Sequence, residues 1–169
     1  MNLYLIIFTA GTYKVEQVYE KHKDLFVELE KHFTLHLVNY TDSESIPSHE
    51  YKMAFIASGG VENAVVRFFS ILPYPITLLT DGLNNSLAAA LEISAWIQSR
   101  DMKVKIIHGS VPIMVNQVLL HHQAFAAKRS LKKETHRCNR HSGFLAGSQS
   151  CGLPVSRAAL GSDLHGHLH

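Results

Sequence analysis

The stretch MAFIASGGVE, residues 53–62, joins a short apolar run to a glycine turn and then to the start of a helix. The run Met53–Ala57 contains no polar side chain, which is typical of a strand buried on both faces of a sheet. Ser58, Gly59 and Gly60 form a turn signal. Apolar residues then recur at helical spacing: Val61, Ala64, Val65, Phe68, Phe69 and Leu72. This order of strand, turn and helix is the repeating unit of α/β proteins.

The same unit recurs on both sides of this stretch. Four further strand candidates are Leu3–Phe8, Thr34–Tyr40, Ile76–Thr80 and Lys103–His108. Amphipathic helices are predicted for Tyr13–Phe33, Leu87–Arg100 and the segment after Ser110, besides the one at 61–72. Short connections between strands and helices favour a parallel sheet. We therefore predict a three-layer, flavodoxin-like (Rossmann-like) open parallel sheet of about five strands, with helices on both faces.

The character of the chain changes near Lys133. Residues 1–133 alternate apolar runs with amphipathic stretches, and the 46% apolar content of the chain is enough for a packed core. Residues 134–169 hold both cysteines, Cys138 and Cys151, among scattered Gly, Ser, Arg and Pro without a period. We predict an α/β domain at 1–133 and an irregular, disordered tail at 134–169.

Composition excludes several classes of function. The net charge of +2 is nearly balanced, and the basic residues at 128–133 are interpreted as a solvated helix end, so no nucleic-acid partner is predicted. No apolar run approaches the roughly 18–20 residues of a membrane helix. Leu3–Phe8 lacks the flanking residues of a signal peptide. We therefore expect a cytoplasmic protein without a membrane partner.

A ligand site is expected at the carboxyl ends of the strands, where open α/β sheets bind ligands. Gly59 and Gly60 follow one strand and let the backbone approach a ligand closely, and Glu62 adds a polar group at the same edge. In the alternative interpretation, the glycines only form a tight turn and Glu62 favours the helix N-terminus. Gly59, Gly60 and Glu62 are therefore candidate contacts with a substrate or a neighbouring subunit.

Asn84, Asn85 and Ser86 follow the next strand and complete the candidate site. One of these residues is expected to cap the helix that begins here. The other is then available to hydrogen-bond a hydroxyl-rich ligand or a neighbouring subunit. As with the glycine turn, a purely structural role remains the alternative.

No catalytic or metal-ligating set is assigned from the residues. His121 and His122 are adjacent, so they point about 100° apart on a helix and do not chelate one ion well. No Ser/His/Asp or Cys/His arrangement is evident, and the P-loop pattern is absent. The position after the first strand reads Thr9-Ala10, where a phosphoacceptor receiver domain would carry acidic residues.

Three runs in the middle of the chain resemble a known family. They are SGGVE at 58–62, LLTDGLNNSLAAALEI at 78–93 and IIHG at 106–109, with Pro73 between the first two. Together they resemble the N-terminal α/β region of L-fucose isomerase-like proteins, in the superfamily of the L-fucose and L-arabinose isomerases. The asparagine pair before a helix of small residues is the most specific match. Val61 departs from the threonine of the family pattern.

The resemblance implies an aldose–ketose isomerase of carbohydrate metabolism. In that family a divalent metal, typically manganese, is held by carboxylate and histidine ligands in later domains. No catalytic or metal residue is therefore carried over, and residues 1–133 are expected to be inactive alone. The resemblance also implies a homo-oligomer with a sugar bound at a subunit interface. The alternative is a stand-alone flavodoxin-like module for small-ligand binding or oligomerisation.

The tail is interpreted as the product of a frameshift near Lys132-Lys133-Glu134. The family continues after its last helix with a strand and a turn of the type Ile-Gly-Thr-Pro. Back-translating residues 134–161 and reading one nucleotide later permits Ile-Gly-Ala-Ile-Gly-Thr-Pro-Ala-Ser-Trp-Leu. Further family-like segments occur at the same offset. A genuine divergent tail is the alternative, and the nucleotide sequence of the gene decides between the two.

Overall fold

The computed structural model describes the backbone of residues 1–11 and 14–141, and the side chains within these ranges up to Leu131. Backbone contacts divide the chain into two units, with the boundary after Ser130. All strands of the described residues lie in the first unit, Met1–Ser130.

The described residues form five strands and five α-helices. The strands are β1 Asn2–Phe8, β2 Thr34–Asn39, β3 Lys52–Ile56, β4 Ile76–Leu79 and β5 Val104–Ile107. The helices are α1 Val15–Lys21, α2 Lys23–Glu30, α3 Glu62–Phe68, α4 Ser86–Gln98 and α5 Val111–His141. Short 3-10 turns are at Tyr40–Ser45, Phe69–Ile71 and Leu83–Asn85.

The strands form one parallel sheet in the order β2-β1-β3-β4-β5. In this register Leu5 of β1 is paired with Leu37 on one side and with Met53 on the other. The central strands β1 and β3 are nearly continuous apolar runs because both of their faces are covered. The predicted five-stranded, flavodoxin-like parallel sheet is confirmed.

Each face of the sheet carries its own hydrophobic core. Leu3, Leu5 and Ile7 of β1 face the core made with α1, α2 and α5, whereas Ile6 and Phe8 face the core made with α3 and α4. This division follows from the two-residue period of a strand. Burial of one such side chain stabilises the fold by roughly 1.5–3 kcal/mol. The predicted placement of helices on both faces is therefore confirmed.

The first predicted helix is interrupted. Tyr13–Phe33 was expected to be one helix, but His22 separates α1 from α2 with φ −112° and ψ 24°. The apolar period continues across the break because Val18, Leu25 and Leu29 all face the same core. The period therefore indicated the buried face correctly but did not reveal the kink.

The last helix extends beyond the predicted domain boundary. The backbone of 134–141, which the sequence assigned to an irregular tail, is helical as the end of α5. Residues 142–169 lie outside the described residues, and so does most of the segment to which the frameshift hypothesis applies. The division of the chain at 133 and that hypothesis both stay predictions.

Candidate functional site

The loops after β3 and β4 meet at the carboxyl edge of the sheet. The Gly59 N–H donates a hydrogen bond of 2.9 Å to the carbonyl oxygen of Asn84. A Cβ atom on Gly59 would lie 3.3 Å from atoms of Asn85, which is a tight contact. Glycine therefore allows the two loops to approach each other. The structure brings together two of the segments that the sequence proposed as a site.

Gly60 and Glu62 contact each other within the turn. Gly60 has φ +76°, a left-handed conformation that favours glycine. Its N–H donates to the Glu62 carboxylate at 3.2 Å, and Glu62 is the first residue of α3. Glu62 thus makes a contact within the turn, as expected for a purely structural role. A role of either residue toward a ligand stays a prediction.

Asn84 and Asn85 both adopt left-handed backbone conformations, with φ of 52° and 62°. Asparagine tolerates this region better than most residues. One of these residues was predicted to cap the next helix: Asn85 does occupy the N-cap position of α4, but its side chain makes no capping hydrogen bond. The Asn84 side-chain amide instead donates to the Ala57 carbonyl oxygen at 3.5 Å.

Ser86 is a buried residue that accepts a hydrogen bond of 2.6 Å from the Thr80 hydroxyl. The Thr80 Oγ1 atom also accepts from the Gly82 N–H at 3.2 Å. Ser86 therefore supports the loop after β4 from below, and its side chain is not exposed for contact with a ligand.

A buried histidine–carboxylate pair lies beside this loop. His22 Nδ1 donates to Asp81 Oδ2 at 2.5 Å, and the two side chains are only 1% and 13% exposed. The other carboxylate oxygen of Asp81 accepts from the Leu83 N–H at 3.0 Å. Neither residue was predicted as part of a site from the sequence. The signal present there was a histidine in the apolar stripe of a helix, between Val18 and Leu25.

Asp81 remains an acceptor over a wide pH range. Burial by itself raises the pKa of its carboxyl group, but the hydrogen bonds from His22 and from the Leu83 N–H lower it, and the net shift is downward. An ionised carboxylate only accepts hydrogen bonds, so Nδ1 of His22 must carry the hydrogen. Asp81 thereby fixes both the tautomer and the orientation of the imidazole ring.

The His22 ring is enclosed by aromatic side chains. Its centroid lies 5.0 Å from that of Phe55, edge to face, and 6.1 Å from that of Phe26. Among the described residues, no group forms a hydrogen bond with Nε2. The one fully enclosed side-chain polar atom without a partner in this part of the chain is the Tyr51 hydroxyl.

A cleft of about 250 Å³, with His22 in its wall, lies at the carboxyl edge of the sheet. It lies below the roughly 300–1,000 Å³ that is usual for drug-sized ligands. A second cleft, of about 460 Å³, includes His22 and Asp81 in its wall. The residues that line the smaller cleft are Thr9, Ala10, Gln17, Val18, Lys21, His22, Ala57, Ser58 and Asn84. Of the six predicted site residues, only Asn84 lines the smaller cleft.

Two further contacts hold the walls of this edge. The Ser58 hydroxyl accepts a hydrogen bond of 2.8 Å from the Ala10 N–H, which joins the loops after β1 and β3. His108 Nδ1 lies 3.0 Å from the Thr80 carbonyl oxygen, and its ring packs against Gly82. A Cβ atom on Gly82 would lie 2.8 Å from the His108 ring, so a larger residue there would require that ring to move. Non-covalent contacts therefore join the loops that follow neighbouring strands at this edge of the sheet.

The described residues do not fit the manganese that the family resemblance implies. They contain no group of three or more His, Cys, Asp or Glu side chains arranged to hold a metal ion. His122 instead packs its ring against Tyr51 and Phe33. No role at this edge of the sheet is therefore assigned to a metal ion.

No family model, curated protein or solved structure matches this chain. A membrane-spanning helix is also not found in the part of the chain that the structure describes, since none there is both long and apolar enough. The candidate site is thus defined by its own geometry: a small cleft lined by both polar and apolar side chains, and a buried imidazole whose tautomer is fixed by a carboxylate.

Proposed function

We propose that residues 1–133 form the N-terminal α/β domain of an L-fucose isomerase-like aldose–ketose isomerase of carbohydrate metabolism. The observation that carries the proposal is the contact between Gly59 and Asn84. These residues belong to the two most family-like runs, 58–62 and 78–93, and they meet at the edge where an α/β sheet binds its ligand. In this proposal the edge receives a sugar, either of this subunit or of a neighbour in a cytoplasmic homo-oligomer.

The domain contributes binding and orientation rather than chemistry. In the intact family, manganese with its carboxylate and histidine ligands supports proton transfer between adjacent sugar carbons. Here the hydroxyls of Thr9 and Ser58 and the amides of Gln17 and Asn84 line the cleft and can hydrogen-bond sugar hydroxyls. We therefore propose that the chain binds an aldose but does not isomerise it.

The enzymatic part of the proposal is tested by a turnover assay. Purified full chain is incubated with manganese and either L-fucose or L-arabinose, and the ketose product is measured. We expect no product above the protein-free control. Isomerisation at a rate proportional to the protein concentration would contradict the proposal.

The ancestry and the frameshift are tested in the gene. We expect the offset frame of residues 134–161 to be open, and an in-frame continuation downstream to encode carboxylates and histidines typical of the metal site. Stop codons in that frame, or no family-like continuation, would contradict the frameshift and leave residues 134–169 as a genuine tail.

A second candidate function is a stand-alone flavodoxin-like module for binding a small polar ligand or for oligomerisation. It is favoured by the cleft beside His22, which belongs entirely to the described residues of Met1–Ser130. The two functions differ in the gene, because a module needs no downstream catalytic continuation. They also differ in a turnover assay with a separately encoded catalytic half. An isomerase domain should restore turnover when it binds that half, whereas a stand-alone module should not.

A further inference from the structure

We propose that the outer face of α5 is a docking surface for an acidic amphipathic helix of a partner protein. The surface lies within the unit Met1–Ser130, and we call it the α5 stripe. It consists of Ile113, Gln117, Leu120, Ala124 and Ala127. The proposal goes beyond the isomerase domain proposed above and does not depend on it.

The α5 stripe presents apolar side chains that the core does not use. Ile113 and Leu120 are 52% and 55% exposed, and neither belongs to the two hydrophobic cores of the described residues. Met114 and Val118 of the same helix are buried in the core beneath. A surface helix normally has one apolar face, with polar side chains opposite. The second apolar surface of α5 therefore indicates a second packing partner.

The spacing within the α5 stripe indicates that this partner is a helix. The five positions follow one another by alternating steps of four and three residues. Such steps keep an apolar seam directed toward a second helix, as in coiled coils. Ala124 and Ala127 have small side chains, so a helix can approach closely there. Gln117 is the one polar member, and a single polar residue in a seam can fix the register of pairing.

The charges beside the α5 stripe favour an acidic partner. Residues 102–130 include four basic side chains and no Asp or Glu. Lys128 comes directly after the last residue of the stripe, and His121 directly after Leu120. Burial, and then the nearby charge of Lys105 in β5, lowers the pKa of His121. Charged groups beside a seam determine which helix binds, so carboxylates at the facing positions would complement this surface.

The same observations disfavour two other occupants. A second copy of α5 would bring no carboxylate to this surface, because residues 111–130 contain none. A lipid surface is bound by a broad apolar face with Trp, Phe and Leu. The α5 stripe is narrow, and its last two members are alanines. An acidic helix therefore fits the surface better than either.

The test measures binding of synthetic peptides to the full chain by fluorescence anisotropy. The first peptide carries leucines at alternating four- and three-residue steps, flanked by glutamates, and is long enough to cover the roughly 21 Å of the stripe. The second has the same composition with the leucines scrambled, and the third has lysines in place of the glutamates. We expect saturable binding of the first peptide alone, weaker at high salt because the charges are screened.

Matched variants locate the binding surface. Leu120→Asp places a charge in the stripe and should weaken binding of the acidic peptide by about tenfold or more. The control Leu91→Asp changes a leucine of similar exposure, 57%, on α4 at the other face of the sheet, and should leave binding unchanged. Lys128→Glu reverses a flanking charge, so it should weaken binding of the acidic peptide and allow binding of the lysine peptide. This charge reversal decides the matter if Leu120→Asp does not fold.

Several outcomes would overturn the proposal. They include no saturable binding of the acidic peptide to the native chain, equal binding of the scrambled peptide, and equal effects of Leu120→Asp and Leu91→Asp. A dimer in sedimentation that Leu120→Asp dissociates would identify a second copy as the occupant. Flotation with phosphatidylserine vesicles that Leu120→Asp abolishes would identify a lipid surface. None of these outcomes affects the turnover assay or the gene, which decide the proposed function.

Discussion

The two ends of the sheet each bury a polar aromatic group, but they treat it differently. At the carboxyl end, His22 has a hydrogen-bonded carboxylate partner in Asp81. At the amino end, the hydroxyl of Tyr51 is enclosed without a partner among the described residues, and its ring packs against His122 and Phe125 at centroid distances of 5.1 Å. The carboxyl end therefore holds the polar His22 ring in position by a hydrogen bond, whereas at the amino end Tyr51 contributes mainly its apolar ring to the packing.

The electrostatics of the two ends differ in the same way. Hydrogen bonds outweigh the effect of burial at Asp81 and lower the pKa of its carboxyl group, so the charge is kept. Burial raises the pKa of the Tyr51 hydroxyl, which stays neutral. A maintained charge beside an open cleft is the arrangement expected of a binding site, and a neutral enclosed phenol is the arrangement expected of a core.

The greatest change in stability is expected from the packing beneath the His22–Asp81 pair. Phe55 is fully buried in β3 and contacts both Phe26 and His22. Phe55→Ala should lower the free energy of unfolding by about 3–5 kcal/mol, measured by urea denaturation, because it leaves a cavity. The control Leu91→Ala, at a side chain that is 57% exposed, should change it by at most about 0.5 kcal/mol. Equal effects of the two variants would contradict the assigned core.

The second prediction tests the polar pair itself. Asp81→Ala leaves the Nδ1–H of His22 buried without an acceptor, so the free energy of unfolding should fall by about 1–3 kcal/mol. Asp81→Asn retains a carbonyl acceptor and should cost less than the alanine variant. Thermal or urea unfolding of both variants measures the difference. If alanine and asparagine are equally tolerated, the hydrogen bond does not hold the ring.

The third prediction has the opposite sign and concerns the other end. Tyr51→Phe removes a hydroxyl that has no partner among the described residues and keeps the ring. The free energy of unfolding should stay unchanged or rise by up to about 1 kcal/mol, because no hydrogen bond is lost and less polar surface is buried. A loss of stability in the same urea experiment would mean that the hydroxyl has a partner, such as a buried water.

The weakest effect is a pH dependence at the amino end. Burial, and then the charge of the N-terminus, lowers the pKa of His122 below its ordinary value of 6.5. The unfolded chain therefore binds a proton at His122 more readily than the native chain, and stability falls as the pH drops below 6.5. His122→Phe should reduce this fall in a series of melts from neutral to mildly acidic pH.

Asp81 adds to the same trend at lower pH. Because the pKa of its carboxyl group is lowered in the native state, the stability that Asp81 contributes is present above pH 3.8 and is lost as the pH falls further.

The exposed His32 provides the control for the His122 prediction. If His32→Phe and His122→Phe reduce the pH dependence equally, the burial of His122 has no electrostatic consequence.

The site was less accessible to prediction than the fold. The contact between Gly59 and Asn84 agrees with the expectation that the loops after β3 and β4 meet. Asn85 occupies the predicted N-cap position without a capping hydrogen bond from its side chain, and its backbone is left-handed where an N-cap residue is usually extended. His22 was not predicted as a site residue, because its spacing in the amphipathic segment Tyr13–Phe33 is the same as that of a core residue.

Local patterns in the sequence were enough to specify the five strands, their parallel arrangement and the faces that α1 to α4 bury. These properties follow from apolar periods of two and 3.6 residues, which can be read along the chain. The meeting of His22 with Asp81, 59 residues away, and the place of His22 in the walls of two clefts became visible only in the folded molecule. A hydrogen bond between distant residues depends on how helix and sheet pack, and hydrophobic periodicity carries no information about that geometry.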